Sequence, residues 1–334
     1  MKNDSLSDKQ VRHCSVNVIK KKEFRVGKLE SVFTRVITAF IVTICVVTIV
    51  FFFIHLIPGD PIVAILGEQA GLQDVEQLRT QLGLDLPLAS QWIQFITDLV
   101  VGDLGFSFYY HAPVGPIIAK STVMTFYLAG AAFIIAASVG ISLGIVAALY
   151  QEKVWDRLAV FVALVSMSIP NFVFGPILII IFAVKLQWLP IGASEGVLSI
   201  VLPALALGLS LAALTMRMTR ASVIEVLREP YILAIRAKGL SQSRIMLAHV
   251  FRNALLPVVT TLGLQLGLLL GGAVITEAIF SWPGLGSLVI ESISRRDYPM
   301  VQASVLVIAV SYIIINMLTD ILYKVLDPRV DLGS

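Results

Sequence analysis

The chain has 334 residues, 57% of them hydrophobic and only 14% charged, with mean hydropathy +0.89 and a formal net charge of +3. A water-soluble domain of this length is neither so apolar nor so poor in charge, which excludes the soluble classes. Long uncharged apolar runs make this an all-α integral membrane protein, with no nucleic-acid partner expected.

Residues 1–35 form a polar tail, with Lys20, Lys21, Lys22, Arg25, Lys28 and Arg35 placed just before the first apolar run. That run is too long for a signal-peptide core and no small-residue cleavage pattern follows it, so it is expected to stay as a span over 36–57. Cys14 lies in the tail and Cys45 in this span; without a CxxC spacing, neither a disulfide nor a metal site is expected. His13, His55, His111 and His249 are scattered and read as polar residues of loops and membrane edges.

Residues 58–122 form a long acidic loop with Asp60, Glu68, Asp74, Glu76, Asp85, Asp98 and Asp103 against Arg79 and Lys120. Asp74 with Gln77 resembles a capping box, predicting a helix to about Gln81 that Gly83 ends. Trp92, Phe95, Ile96, Leu99 and Val100 then share one face at helical spacing. They predict a helix that either lies in the outer interface, with Trp92 at headgroup level, or forms a lid packed on the spans.

Five further runs follow: Val123–Tyr150, Leu158–Val184, Leu198–Leu214, Val258–Ala278 and Val301–Tyr323. With the first span they give six transmembrane helices, each near the ~20 residues a bilayer requires. The fourth is the weakest, being short and containing Pro203. Gly140 and Gly144 in the second span, and Gly263, Gly267 and Gly271 in the fifth, make flat stripes for close helix packing, either within the chain or against a second subunit. Pro170 and Pro176 are expected to bend the third span. Asn171 and Gln265 are candidates to line a polar pathway.

The connection after the fourth span, 215–257, carries Arg217, Arg220, Arg228, Arg236, Lys238, Arg244 and Arg252 against only Glu225 and Glu229. Lysine and arginine concentrate on the cytoplasmic side, so both ends, 1–35 and 324–334, are expected in the cytoplasm and the acidic loop outside. The fourth helix should continue to Leu227 and break at Pro230. A short helix then fits Tyr231–Lys238, with Gly239 as left-handed cap, and Ser241 begins another through His249. Pro257 marks entry into the fifth span.

The middles of the six spans hold no Asp, Glu, Lys or Arg, which argues against proton-coupled transport by the chain alone. No Walker A, HExxH or GxSxG sequence occurs, so the chain is not expected to be an enzyme. Energy for directed work must then come from a partner. An autonomous channel or carrier is the alternative that the span count also fits.

The loop "RAKGLSQSRIMLAHVFRNALLP" resembles that of binding-protein-dependent ABC importer permeases, in the dipeptide/oligopeptide/nickel branch. In order along the chain, "HLIPGDP", "QLGLDLPL", "GDLGFSF", "SIPNF", "LQWLP", "GGAVITEAIFSWPGLG", "RRDYPMVQ" and "DPRV" carry the same resemblance from His55 to Val330. It implies a type I ABC importer permease fold over 123–323 in a bacterial inner membrane. It further implies a second homologous permease, two ATPase subunits that use ATP and magnesium, and an extracytoplasmic solute-binding protein. This chain itself would hold no cofactor. Ala234, Arg236, Ala237, Lys238, Gly239 and Leu240 would form the helix that couples to an ATPase, and Trp282, Pro283 and Gly284 would lie at the outer mouth. The broader family loop often has an acid followed by two alanines six residues before the glycine. Leu233, Ala234 and Ile235 stand there here, so no role of that acid is carried over. Di- and oligopeptides are the expected solutes, with glutathione or nickel complexes as alternatives.

Overall fold

The computed structural model describes residues 37–53, 55, 62, 66, 71–81, 83–192 and 196–326. The tail 1–35, most of the "HLIPGDP" segment and the "DPRV" segment lie outside the described residues.

In chain order the helices are α1 (Ile37–Phe53), α2 (Leu72–Gln81), α3 (Leu88–Val101), α4 (Val114–Leu149), α5 (Val154–Ser168) and α6 (Asn171–Lys185). They continue as α7 (Leu198–Leu227), α8 (Pro230–Ala237), α9 (Phe251–Ile279), α10 (Leu285–Arg295) and α11 (Tyr298–Leu326). Between α3 and α4, Phe106–Ser107 and Ala112–Pro113 pair as a two-stranded antiparallel hairpin. Among the described residues, α4, α7, Gln242–Gly271 and Tyr298–Ile321 are long and apolar enough to cross a bilayer, and α5 with α6 passes as a bent pair. All six apolar runs are mainly helical over their described residues, the first as the shorter helix α1.

Three expectations change. The third span is not one kinked helix: α5 and α6 meet at 107°. Pro170 is the cause. It forces Ile169 out of the helical region, to φ −91° and ψ 117°, because its ring crowds the preceding residue. Pro176 sits inside α6 and makes no such break. The helix that begins at Gln242 does not stop at His249; it runs through a wide turn at Ile245–Val250 into α9, so Pro257 lies inside a helix. In α2, Asp74 falls in the first turn, with the helix starting earlier at Leu72.

The fourth span, weakest by sequence, is the most enclosed. Of its apolar window 56% is buried, against 33% for α4 and 28% for the last span. Pro203 lies within the first turn of its α-helical part, where a missing N–H does little harm. Its packing on α4 is unusually close. A Cβ on Gly140 would stand 2.6 Å from Thr215 Cβ and 2.8 Å from the Ala212 carbonyl oxygen. On Gly144 it would stand 2.5 Å from Thr219 Cβ, and on Gly208 2.7 Å from the Ala132 carbonyl oxygen. Glycine on both helices thus lets the two backbones approach, as membrane helices require when no hydrophobic force drives them together. Leu128, Ala132, Ala204, Leu207, Leu269 and Trp282 extend this contact to α9 and the loop after it.

On the acidic-loop side, α3 lies against α1. Trp92 Nε1 donates to Thr48 Oγ1 at 3.2 Å and Phe95 stacks on Phe51.

Gly144→Leu is expected to cost more than the roughly 1–3 kcal/mol typical of an overpacked core, because a backbone oxygen cannot swing aside. Thermal unfolding of the purified protein in detergent should show a lowered midpoint for this variant. Gly130→Ala, where a Cβ meets open space, should leave it unchanged or raise it.

Candidate functional site

At the basic end of the bundle, α7 runs unbroken to Leu227 and the chain turns at Glu229–Pro230. Proline at the first position of α8 suits a helix start, where its absent N–H is not needed. Gly239 ends the segment in the left-handed region, φ +80°, and its N–H donates to the Arg236 carbonyl oxygen at 2.9 Å. Ser241 stands at the start of the next helix without a side-chain cap bond.

The α8 helix has two unlike sides. Ile232 is buried with Val223, Ile245, Val250, Ala254 and Ala148, which ties the short helix to α4, α7 and α9. Asn253 Nδ2 donates to the Tyr231 hydroxyl at 2.7 Å, a second tie to α9. On the other side Leu233, Ala234, Arg236, Ala237, Lys238 and Gly239 are all exposed, while Leu240 is half-buried. The exposed side is small, apolar and cationic, and it is fixed to three long helices.

An ion pair between buried Asp156 and half-buried Arg220 fastens α5 to α7. Arg220 donates from Nε and Nη2 to the two Asp156 carboxylate oxygens at 2.6 and 2.8 Å. The Glu152 N–H adds a third bond to Asp156 at 2.9 Å. Removing one partner from such a pair strands the other charge.

At the opposite end, the chain leaves α9, turns through Phe280–Gly284 and enters α10. Glu277, fully buried, holds this turn. Thr125 Oγ1 donates to Glu277 Oε1 at 2.7 Å, and the Gly286 and Ser287 N–H groups donate to Oε2 at 2.7 and 3.2 Å. The carboxylate therefore sits at the N-terminus of α10, where free N–H groups and the helix dipole favour a negative charge. Gly284 and Gly286 are required by its approach: a Cβ on Gly284 would lie 2.2 Å from Glu277 Oε1. Trp282, buried, donates from Nε1 to the Met124 carbonyl oxygen at 3.0 Å, so the turn is tied to α4 as well as α9. Pro283 lies between these anchors.

The hairpin is latched nearby. Buried Asp297 accepts from the Ser107 hydroxyl and from the Phe108 and Tyr109 N–H groups, both at 3.3 Å. Tyr110 donates to Glu291 at 3.0 Å, and burial with that carboxylate pushes its phenol up to about 12. The Arg295 guanidinium lies 4.3 Å from the Tyr109 ring centre.

The two pathway candidates sit apart. Ser210 Oγ donates to Asn171 Oδ1 at 2.5 Å, joining the break in the third span to α7. Gln265 is buried and satisfied: its Oε1 accepts from Thr215 Oγ1 and its Nε2 donates to the Leu211 carbonyl oxygen, each at 3.1 Å. It pins α9 to α7 inside the bundle. The glycines of α9 also divide. Gly263 is buried, and its carbonyl accepts from Thr319 at 3.4 Å; Gly267 faces Asn316 and Tyr312 of α11; Gly271 is exposed with open space before it. Sequence reasoning missed Glu277, Asp156 and Gly208. The "TEAIFSWPGLG" stretch held the one available signal, an acid followed at short range by two glycines.

Residues 140–332 match the model of the binding-protein-dependent transport system inner membrane component family, and residues 28–129 match the model of its N-terminal region. The chain belongs to this permease family. It is 42% identical over 293 residues to the "Glutathione transport system permease protein GsiC" of Escherichia coli, covering 88% of this chain and 94% of that one. The same-named protein of Pectobacterium atrosepticum is 42% identical over 285 residues, covering 85% and 93%. Among solved structures it resembles the inward-facing "MetNI methionine ABC transporter", with TM-score 0.53 and 18% identity, covering 63% of this chain and 96% of that one. At that identity the likeness shows the fold, the type I ABC importer permease fold. The permease is thus a multi-pass membrane subunit of an ABC importer and is not itself an enzyme; ATPase and binding-protein partners complete such a system.

Glu277→Ala would leave a hydroxyl and two backbone N–H groups without their acceptor, each costing about 1–3 kcal/mol when buried. Hydrogen–deuterium exchange should then quicken across 280–290 and stay unchanged in α7. Glu277→Gln keeps one acceptor oxygen and should fall between the two.

Proposed function

We propose that the permease forms half of the translocation pathway of an ATP-driven importer for short peptides, with glutathione, itself a tripeptide, as the first solute to test. Two relatives that match along most of their length are named for glutathione transport, which favours this class over nickel complexes. The same class includes the di- and oligopeptides that the sequence resemblance suggests.

The observation that carries the mechanism is α8: a short helix with one side buried against three long helices and the other side exposed. In this reading Ala234, Arg236, Ala237, Lys238, Gly239 and Leu240 seat in an ATPase groove. Small side chains allow close approach, and Arg236 and Lys238 meet the groove's rim. Closure of two ATPase subunits around ATP and magnesium moves α8, and α7 and α9 carry that motion into the bilayer. Trp282, Pro283 and Gly284 stand at the outer mouth, facing the solute-binding protein. The exposed stripe of α9, with Leu264, Leu268, Gly271 and Ile275, faces a second, homologous permease across the pathway. In this reading both termini are cytoplasmic, which the basic tail and the basic 215–257 segment support.

Gly239→Asp tests this reading. Aspartate is among the few residues that tolerate a left-handed backbone, so the fold should persist while a carboxylate enters the contact. Uptake of labelled glutathione by cells carrying the whole system should fall at least about tenfold, the equivalent of roughly 1.4 kcal/mol, with the membrane level of the protein unchanged. Uptake equal to wild type would contradict the coupling role.

A further inference from the structure

The fourth span is packed on every side but one. Ser210, Leu214, Arg217, Ala221 and Glu225 follow one another at helical spacing along a single face of α7. Of these, Arg217, Ala221 and Glu225 are exposed, whereas Thr215, Met216, Thr219 and Ser222 beside them are buried.

Arg217 and Arg220 stand one turn apart and meet different surroundings. Arg220 is held by both oxygens of Asp156. Arg217 forms no ion pair among the described residues; its Nη1 lies 3.7 Å from the Met167 sulfur. Met167 is eleven residues along α5 from Asp156, about 16 Å by helical rise. The Arg217 guanidinium therefore turns away from the Asp156–Arg220 pair and toward the break at Ile169–Pro170, where Asn171 meets Ser210. Glu225, on the same face, is two turns away in the other direction.

Arg217 stands three residues beyond the fourth apolar run, where the span meets the basic connection, and a charged group at such an edge faces water, lipid headgroups or a polar partner rather than hydrocarbon. Its planar fork of N–H donors matches a carboxylate in two parallel hydrogen bonds. We propose that Arg217 binds a carboxylate of the transported solute on the open strip of α7, between the third-span break and the basic end. The proposal rests on the permease reading and deepens it, because any short peptide, glutathione included, carries at least one free carboxylate.

The test uses the assembled complex in native membranes, with Cys14→Ser and Cys45→Ser. Ala221→Cys then places a thiol one turn from Arg217 on the same strip. Its reaction is timed with two methanethiosulfonate reagents, the anionic ethylsulfonate and the cationic trimethylammonium. The expected result is faster anionic labelling, with the anionic-to-cationic ratio falling at least about fivefold when Arg217→Gln is added and largely kept in Arg217→Lys. S-Methylglutathione, which has no thiol to consume the reagents, should slow the labelling only while Arg217 is present, and its diethyl ester should not. Failure of both reagents to react would put the strip against lipid and Arg217 on a lipid phosphate, overturning the proposal. So would a ratio indifferent to Arg217→Gln, or protection by neither S-methylglutathione nor dialanine. Arg217-dependent protection by dialanine alone would support the site while rejecting glutathione as the solute, so the two ideas fail separately.

Discussion

Two helix backbones, α4 and α7, meet where Gly140, Gly144 and Gly208 leave no room for a side chain. Everything else in the permease is arranged around that contact. In a bilayer the hydrophobic effect does not press helices together, so close van der Waals approach must hold them. The glycine contact fixes α7 at the centre. Gln265 and Thr215 then pin α9 to it, Asp156 and Arg220 pin α5, and Asn171 and Ser210 pin the break in the third span. A helix tied on so many sides moves as a body with its neighbours.

That rigidity gives the two ends of the molecule their roles. At the basic end α7 passes directly into the turn that leads to α8, whose buried side joins the same core. In the proposed reading, a push on the exposed side of α8 reaches α4, α7 and α9 through that buried side. At the other end the Glu277 carboxylate does for a loop what the glycines do for helices. It gathers Thr125 from α4 and the first N–H groups of α10, so the turn after α9 cannot shift independently of the spans. Polar bonds hold the turns, and a few, such as Gln265 with Thr215, also join helices that run side by side.

Much of this was legible in the sequence. Apolar run lengths gave the helices, Pro230 and Gly239 bracketed the short basic helix, and the ordered motifs gave the family. What stayed hidden depends on contacts that hydropathy cannot report. Lipid and protein interior are equally apolar, so the fourth span, weak by length, gave no sign of being the most enclosed. Glu277, near the end of the fifth apolar run, gives no sign of its role until the following loop is seen to fold back over it. Gln265 reads as a pathway group until Thr215 and the Leu211 carbonyl are found to satisfy it. Pro170 announced a bend but not its size of 107°, since a proline can kink a helix or end it.

The claim at the centre of this account is that the exposed side of α8 is an attachment for a motor subunit. It is tested most directly by tagging the permease, extracting it gently from its native membrane and identifying by mass spectrometry what accompanies it. The account predicts a second permease and ATPase chains in wild type, with the ATPase chains lost and the second permease retained in Gly239→Asp. Recovery of the intact wild-type chain alone in several mild detergents, or ATPase chains bound equally well to the variant, would contradict it.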